Sequence, residues 1–179
     1  ALVLPDYTGS SGKLEMLLEV LPGAMAAGRR VLLFSQFTSM LKILRKQLEG
    51  SGYTCMYLDG ETPAGRRMEM TKEFNEGDTQ IFLISLKAGG TGLNLTGADM
   101  VIHYDPWWNP AAEDQATDRA HRIGQTRKVE VLRLVTHESI EEQVVALGQR
   151  KKALFDQLIT PGEELVTRLT EQDIRALFA

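Results

Sequence analysis

Residues 31–50, VLLFSQFTSMLKILRKQLEG, decide the fold, because the spacing of their apolar positions changes half-way along. Val31, Leu32, Leu33 and Phe34 form the continuous apolar run of a strand buried on both faces. From Thr38 onward the period lengthens: Met40, Leu41, Leu44 and Leu48 recur at helical spacing, on one face of a helix that Thr38 caps and Gly50 ends. A buried strand leading straight into an amphipathic helix is half of a parallel crossover unit.

The same alternation continues down the chain. Residues 53–58 read as a second strand, after which Thr62 and Pro63 supply an N-cap and a first-turn proline for a helix carrying Met68, Met70 and Phe74 and stopping near Gly77. Residues 80–84 and 100–104 read as two further strands, the second behind a Gly-rich loop, and Asn109 with Pro110 starts another helix. A last strand covers 129–135, and Ser139 with Glu142 forms a capping box for a long helix reaching about Leu158. Beyond the linker-like TPGEE at 160–164, Thr170 and Asp173 make a second capping box on a short terminal helix. Strands separated by helices of this length imply right-handed crossovers, so the expected fold class is α/β: a doubly wound parallel sheet with helices on both faces.

Composition narrows the function classes. The chain has 179 residues, 43% of them hydrophobic, with 20 Lys and Arg against 24 Asp and Glu, three His and one Cys. No run approaches the roughly 18–20 apolar residues of a membrane helix, and the opening ALVLPDYTGSSGKLE lacks the basic start and apolar stretch of a secretory signal. The chain is therefore expected to be neither membrane-spanning nor exported. Cys55 has no second cysteine to pair with and no ligand at zinc-finger spacing, and His103, His121 and His137 form no ligand cluster, so no metal site is expected. The net charge of −4 argues against a tail that coats nucleic acid, yet it is unevenly spread: residues 1–28 carry −2, residues 29–133 carry +1 and residues 134–179 carry −3.

In doubly wound folds ligands bind at the carboxyl ends of the strands, which singles out four loops. The first, Ser35-Gln36-Phe37-Thr38, sets hydroxyl and amide groups beside a helix start, a geometry suited to an anion. The second, Asp59-Gly60-Glu61-Thr62, feeds another helix with Arg66 and Arg67 about one turn in; Thr38 and Thr62 can equally be plain caps. The third, KAGGTGLNL at 87–95, holds Gly89, Gly90 and Gly92 close enough together for backbone N–H groups to line an anion nest, with Lys87 adding charge, although it is neither a P-loop nor a dinucleotide fingerprint. The fourth, DPWWNP at 105–110, leads into a helical stretch in which Gln115, Arg119 and Arg122 are spaced four and three apart and so share one face. Two guanidiniums on one face either meet an anion or pair locally with Glu113, Asp114 and Asp118. Adjacent Trp107 and Trp108 diverge in an extended segment, so one of them faces solvent or another domain.

VLLFSQFTSML, YLDGET, LISLKAGGTGLNLTGADMVIHYDPWWNP and EDQATDRAHRIGQ resemble the fourth, fifth and sixth helicase motifs of the Swi/Snf family of ATP-dependent double-stranded DNA translocases, in superfamily two. The likeness runs over about residues 10–158, and its tryptophan segment and RAHRIGQ are particular to that family; the terminal LFDQLITPGEELVTRLTEQDIRALF is similar, more weakly, to bacterial or archaeal members. The resemblance implies a second RecA-like lobe over 29–136, preceded by a lead-in helix from the first lobe in 1–28 and followed by a brace helix over 137–160 that crosses back onto lobe one, with an extension over 161–179. It implies that Arg119 and Arg122 are arginine fingers reaching across a cleft to ATP and Mg²⁺ held mainly on an N-terminal lobe, with Gln115 in the same motif. Gly92 and Asn94 would couple the nucleotide cleft to DNA, with Trp107 and Trp108 assigned to coupling as well. Ser35, Gln36, Thr62, Arg66, Lys87 and Gly90 would grip phosphates of one DNA strand, contacts that position without reading sequence.

A complete ATPase of this kind also needs a phosphate loop and an acidic Mg²⁺ segment. Neither is found; GSSGK at 9–13 imitates the former, but Leu14 stands where the hydroxyl ligand belongs. The chain alone is thus expected to be inactive, completed by an N-terminal lobe and acting on duplex DNA, with a DNA-bound protein as a possible target. The expected location is cytoplasmic at the nucleoid, or nuclear if the source is eukaryotic. The alternative is a free-standing α/β module that binds a nucleotide or a protein without catalysis.

Overall fold

Five strands and five helices lie along the residues that the computed structural model describes, which are 11–88, 92–107, 109–122 and 124–158, alternating except where β3 leads to β4 through a loop. In order they are α1 (Gly12–Ala26), β1 (Val31–Ser35), α2 (Thr38–Gly50), β2 (Cys55–Leu58), α3 (Ala64–Glu76), β3 (Ile81–Ser85), β4 (Met100–His103), α4 (Pro110–Thr117), β5 (Glu130–Arg133) and α5 (Ile140–Leu158). The strands make one sheet in the order β2-β3-β1-β4-β5, every neighbouring pair parallel, with Val31 in register with Ile81 on one side and Met100 on the other. This is the doubly wound α/β architecture expected from the sequence.

Both faces of the sheet are covered, and the pleat sends alternate residues to each. Leu33, Ile81, Leu83 and Ile102 meet Leu17 and Leu21 of α1 and Leu41, Leu44 and Leu48 of α2. Leu32, Phe34, Phe82, Ile84 and Val101 meet Met70 and Phe74 of α3 and Ala116 of α4. The continuous apolar run of β1 is therefore buried over its whole length.

Several local expectations change. Neither Thr38 nor Thr62 caps a helix with its side chain. At the first of these starts the Phe37 N–H donates to Ser35 Oγ at 3.1 Å. At the second the chain stays extended through Pro63, and Thr62 Oγ1 instead accepts the Asp59 N–H at 3.2 Å, closing the turn before the helix. Met68 points to solvent at 75% exposure, so only Met70 and Phe74 anchor α3. The capping box of α5 is shifted by one residue: Ser139 Oγ accepts the Glu141 N–H at 3.2 Å, while Glu142 reaches back to the Glu138 N–H at 3.1 Å. Most importantly, α4 stops at Thr117. Gln115 is on the helix while Arg119 and Arg122 lie beyond it, so the three do not share a helical face. The terminal helix expected at Thr170 and Asp173 lies outside the described residues.

Candidate functional site

The chain leaves β1 toward β2 and β3 and later returns to β4 on the other side of β1, so the carboxyl ends of β1 and β4 form the switch point of the sheet. Ser35 closes β1 and Asp105 follows β4. Both are buried, and the Ser35 hydroxyl donates to the Asp105 carboxylate. Burial holds Asp105 above the usual carboxylate range, while the Ser35 hydroxyl and the Lys13 ammonium oppose that rise. Lys13 at the start of α1 donates to the Tyr104 carbonyl at 3.0 Å and to Glu141 at 2.6 Å, bracing α1 and α5 against this rim. Lys13, the cation of the false phosphate loop, thus has a structural use that its sequence context did not signal. The Ser35 hydroxyl, expected to grip a phosphate, donates to Asp105 and accepts the Phe37 N–H, organising the turn, while Gln36 beside it is half-buried and Thr38 and Ser39 are exposed.

The turn after β2 is held from inside. Burial works against ionisation of Asp59, but the Tyr57 hydroxyl, at 2.8 Å, and the Glu61 N–H, at 3.0 Å, outweigh it and hold this carboxyl below its ordinary range. Arg67 donates to the carbonyls of Thr62 at 2.6 Å and Gly60 at 2.9 Å. Arg66 points the other way, exposed and paired with Glu69 at 3.1 Å and Glu73 at 2.8 Å. The two adjacent arginines therefore divide the work, one bracing the turn and one facing solvent.

Lys87 is exposed just past β3, whereas Gly89, Gly90 and Thr91 lie outside the described residues. Gly92 has a φ of +48°, a left-handed conformation that favours glycine. Asn94 is exposed, and its carbonyl accepts from Asn75 Nδ2 of α3 at 2.7 Å. Asn75 Oδ1 takes the Gly97 N–H at 2.9 Å, so one α3 side chain clasps the 94–97 stretch of this loop. Gln125 does the same from the far side, donating to the carbonyls of Ala98 at 2.6 Å and Ala120 at 3.3 Å. Asn75 carries no sequence signal for this role, and Gln125 was legible only as the end of RAHRIGQ.

The arginine segment follows α4. The Arg119 carbonyl accepts the Leu95 N–H at 3.0 Å, joining the segment to the Gly92 loop. The Arg119 side chain is 2% exposed, and its Nε and Nη1 have no hydrogen-bond partner among the described residues. Burial, and after it the neighbouring Arg122, lower its pKa below the ordinary guanidinium value. Arg122 is exposed, with one long contact from Nη1 to the Gly92 carbonyl at 3.4 Å. Gln115 is exposed on α4. The local pairing considered for these arginines does not occur with the α4 carboxylates. Glu113 is buried and accepts the Trp107 N–H at 2.7 Å and Arg133 Nε at 2.8 Å, and Asp114 takes Lys152 at 2.8 Å. Those carboxylates tie α4 to β5 and α5, leaving the guanidiniums free of them. Trp107 is half-buried beside this knot; Trp108 lies outside the described residues.

His103, at the end of β4, is fully buried, unlike the exposed His121 and His137. Its ring stacks on Phe34 at 5.6 Å, its Nε2 meets Thr117 Oγ1 at 3.0 Å and its Nδ1 has no partner among the described residues. Burial pushes its pKa down to about 4, so the ring is neutral at neutral pH. Chemically, the segment combines a buried guanidinium with two nitrogens unpartnered among the described residues, an exposed one beside it and a left-handed glycine nearby. It is a donor set suited to a polyanion.

Residues 12–124 match the family model of the helicase conserved C-terminal domain. YwqA of Bacillus subtilis, whose name proposes an ATP-dependent helicase/translocase, is 42% identical over 171 residues, covering 95% of this chain and 18% of its own. Helicase swr1 of Aspergillus fumigatus is also 42% identical, over 165 residues, covering 92% of this chain and 10% of its own. A bacterial and a fungal protein are thus equally similar, and the similarity does not favour the bacterial or archaeal source suggested by the terminal segment. Among solved structures, the C-terminal part of the Fun30 ATPase domain superposes with a TM-score of 0.77 at 35% identity, covering 94% of this chain and 52% of that one. The chain spans less than a fifth of the length of either relative.

Proposed function

This chain belongs to the helicase conserved C-terminal domain family, among its Swi/Snf-type members, and from that premise we propose that it works as the second motor lobe of an ATP-dependent translocase on double-stranded DNA. The observation that carries this reading is Arg119. A buried guanidinium with two nitrogens lacking hydrogen-bond partners among the described residues is costly unless an anion arrives to meet it, and exposed Arg122 beside it adds a second donor at the same edge. A triphosphate held on a facing lobe fits that need. Guanidiniums positioned this way stabilise the charge that spreads over the γ-phosphoryl oxygens during hydrolysis. Mg²⁺ would be held with the triphosphate on the facing lobe.

The DNA-contacting rim consists of Gln36, Thr62, Arg66, Lys87 and Gly90, with Ser35 shaping the turn rather than touching phosphate. The exposed pairs of Arg66 with Glu69 and Glu73 are weak in water, so exchanging them for a DNA phosphate costs little. Gly92, whose carbonyl meets Arg122, and Asn94, pinned by Asn75, are the residues that couple this rim to the arginines. The site of action is wherever duplex DNA lies, at a nucleoid or in a nucleus, and a DNA-bound protein in the translocation path is the partner to be displaced.

The test joins the chain to its nucleotide-binding lobe and replaces Arg122 with Ala. DNA-stimulated ATP turnover should fall by on the order of 10³-fold while nucleotide binding persists. Undiminished turnover refutes the finger assignment. Tight, salt-insensitive nucleotide binding by the 179 residues alone would support the free-standing binding module instead.

A further inference from the structure

We propose that His103 is a positioning residue for the arginine segment: from the end of β4 its Nε2 holds Thr117 Oγ1 and thereby sets where α4 stops and where Arg119 and Arg122 emerge. This inference rests on the finger reading of Arg119 and Arg122 and adds to it the group that orients them.

The argument begins with a buried polar ring that brings little to stability. His103 is fully buried and stacked on Phe34, and its Nδ1 goes without a partner among the described residues. An apolar side chain of similar size would fill the same space without an unsatisfied polar atom. What the imidazole adds is its Nε2 contact to Thr117, the last residue of α4. Because Nδ1 lies unpaired, the cheaper neutral tautomer carries its proton on Nε2 and donates it to Thr117 Oγ1, leaving a bare lone pair, not a stranded N–H, inside the core.

The location makes that bond consequential. Past Thr117 the chain turns more tightly, with the Ala120 N–H donating to the Thr117 carbonyl at 3.0 Å, and Arg119 lies inside that turn. The outer side of the turn is held by the Leu95 N–H on the Arg119 carbonyl and by Gln125 on the Ala120 carbonyl. His103 holds it from the sheet side. The sheet is the rigid body of the lobe, so this contact transmits the position of β4 to two guanidiniums that must reach an anion on another lobe. Small displacements of such groups lower turnover without weakening ground-state binding.

The experiment measures DNA-stimulated ATP hydrolysis by the chain joined to its nucleotide-binding lobe. Thr117→Val removes the hydroxyl while keeping the shape, His103→Leu removes the ring, and His103→Gln keeps an amide N–H able to reach Thr117. Thr117→Val and His103→Leu should each lower kcat about tenfold with KM for ATP unchanged, and the double variant should be no worse than either single one. His103→Gln should recover most of the loss. Thr117→Val gives the decisive reading should His103→Leu not fold. Full kcat in Thr117→Val, in a protein where Arg122→Ala is inactive, overturns this inference alone. Full turnover in Arg122→Ala removes the finger reading, and this inference with it.

Discussion

Arg119 is where stability and function oppose each other most directly. Its guanidinium is buried, it has two nitrogens without hydrogen-bond partners, and its nearest influential charge is the like-charged Arg122. Removing the charge while keeping the length should therefore help the fold and harm the chemistry. Arg119→Met is expected to raise the unfolding free energy of this chain by about 1 kcal/mol, read from urea melts, and to abolish ATP turnover in the two-lobed protein. A loss of stability would mean that the guanidinium is compensated in the folded chain and would remove the main support for an anion at that place. Ser35 teaches the complementary lesson. Its hydroxyl looked available in the sequence because Ser-Gln beside a helix start suits an anion, yet buried Asp105, seventy residues away, accepts its hydrogen bond.

Among the elements, the loop between β3 and β4 sets the distance from the rim to the arginines, and its far end depends on a glycine. A Cβ on Gly97 would come within 2.9 Å of the Asn75 Cα and 3.0 Å of Arg30 Nη1, and the first of these is backbone that cannot swing aside. Gly97→Ala is expected to destabilise the lobe by about 1–3 kcal/mol in the same urea melts and to loosen the clasp that Asn75 makes across 94–97. An unchanged melt would show that α3 and the loop can part without penalty. α4 illustrates a different limit. Its start at Asn109-Pro110 was readable because proline at the first helical position is a local signal. Its end was not: nothing in EDQATDRAHRIGQ breaks a helix before Gly124, and the stop at Thr117 reflects outside contacts on the following turn.

At the level of the whole lobe, the proposed DNA face carries few cations, so its affinity should be weak and dependent on salt. With Arg66 and Lys87 as phosphate contacts, the logarithm of the DNA-binding constant should fall with the logarithm of salt at a slope of about −2, and Arg66→Ala or Lys87→Ala should each reduce that slope by about 1. A salt-independent affinity, measured by fluorescence anisotropy on duplex DNA, would place the DNA elsewhere. The order of strands and helices, the parallel two-faced sheet and the family were all legible in the sequence, because apolar period, helix-start residues and motif spacing are local properties of a few consecutive positions. Only the tertiary structure decided that Arg119 goes inside while Arg122 stays out, that Ser35 is spent on Asp105, that Arg67 rather than Arg66 braces the β2 turn, and that Lys13, Asn75 and His103 hold the rim together. Those outcomes depend on which distant groups the folded sheet and its helices bring within hydrogen-bond reach, and no short stretch of sequence carries that information.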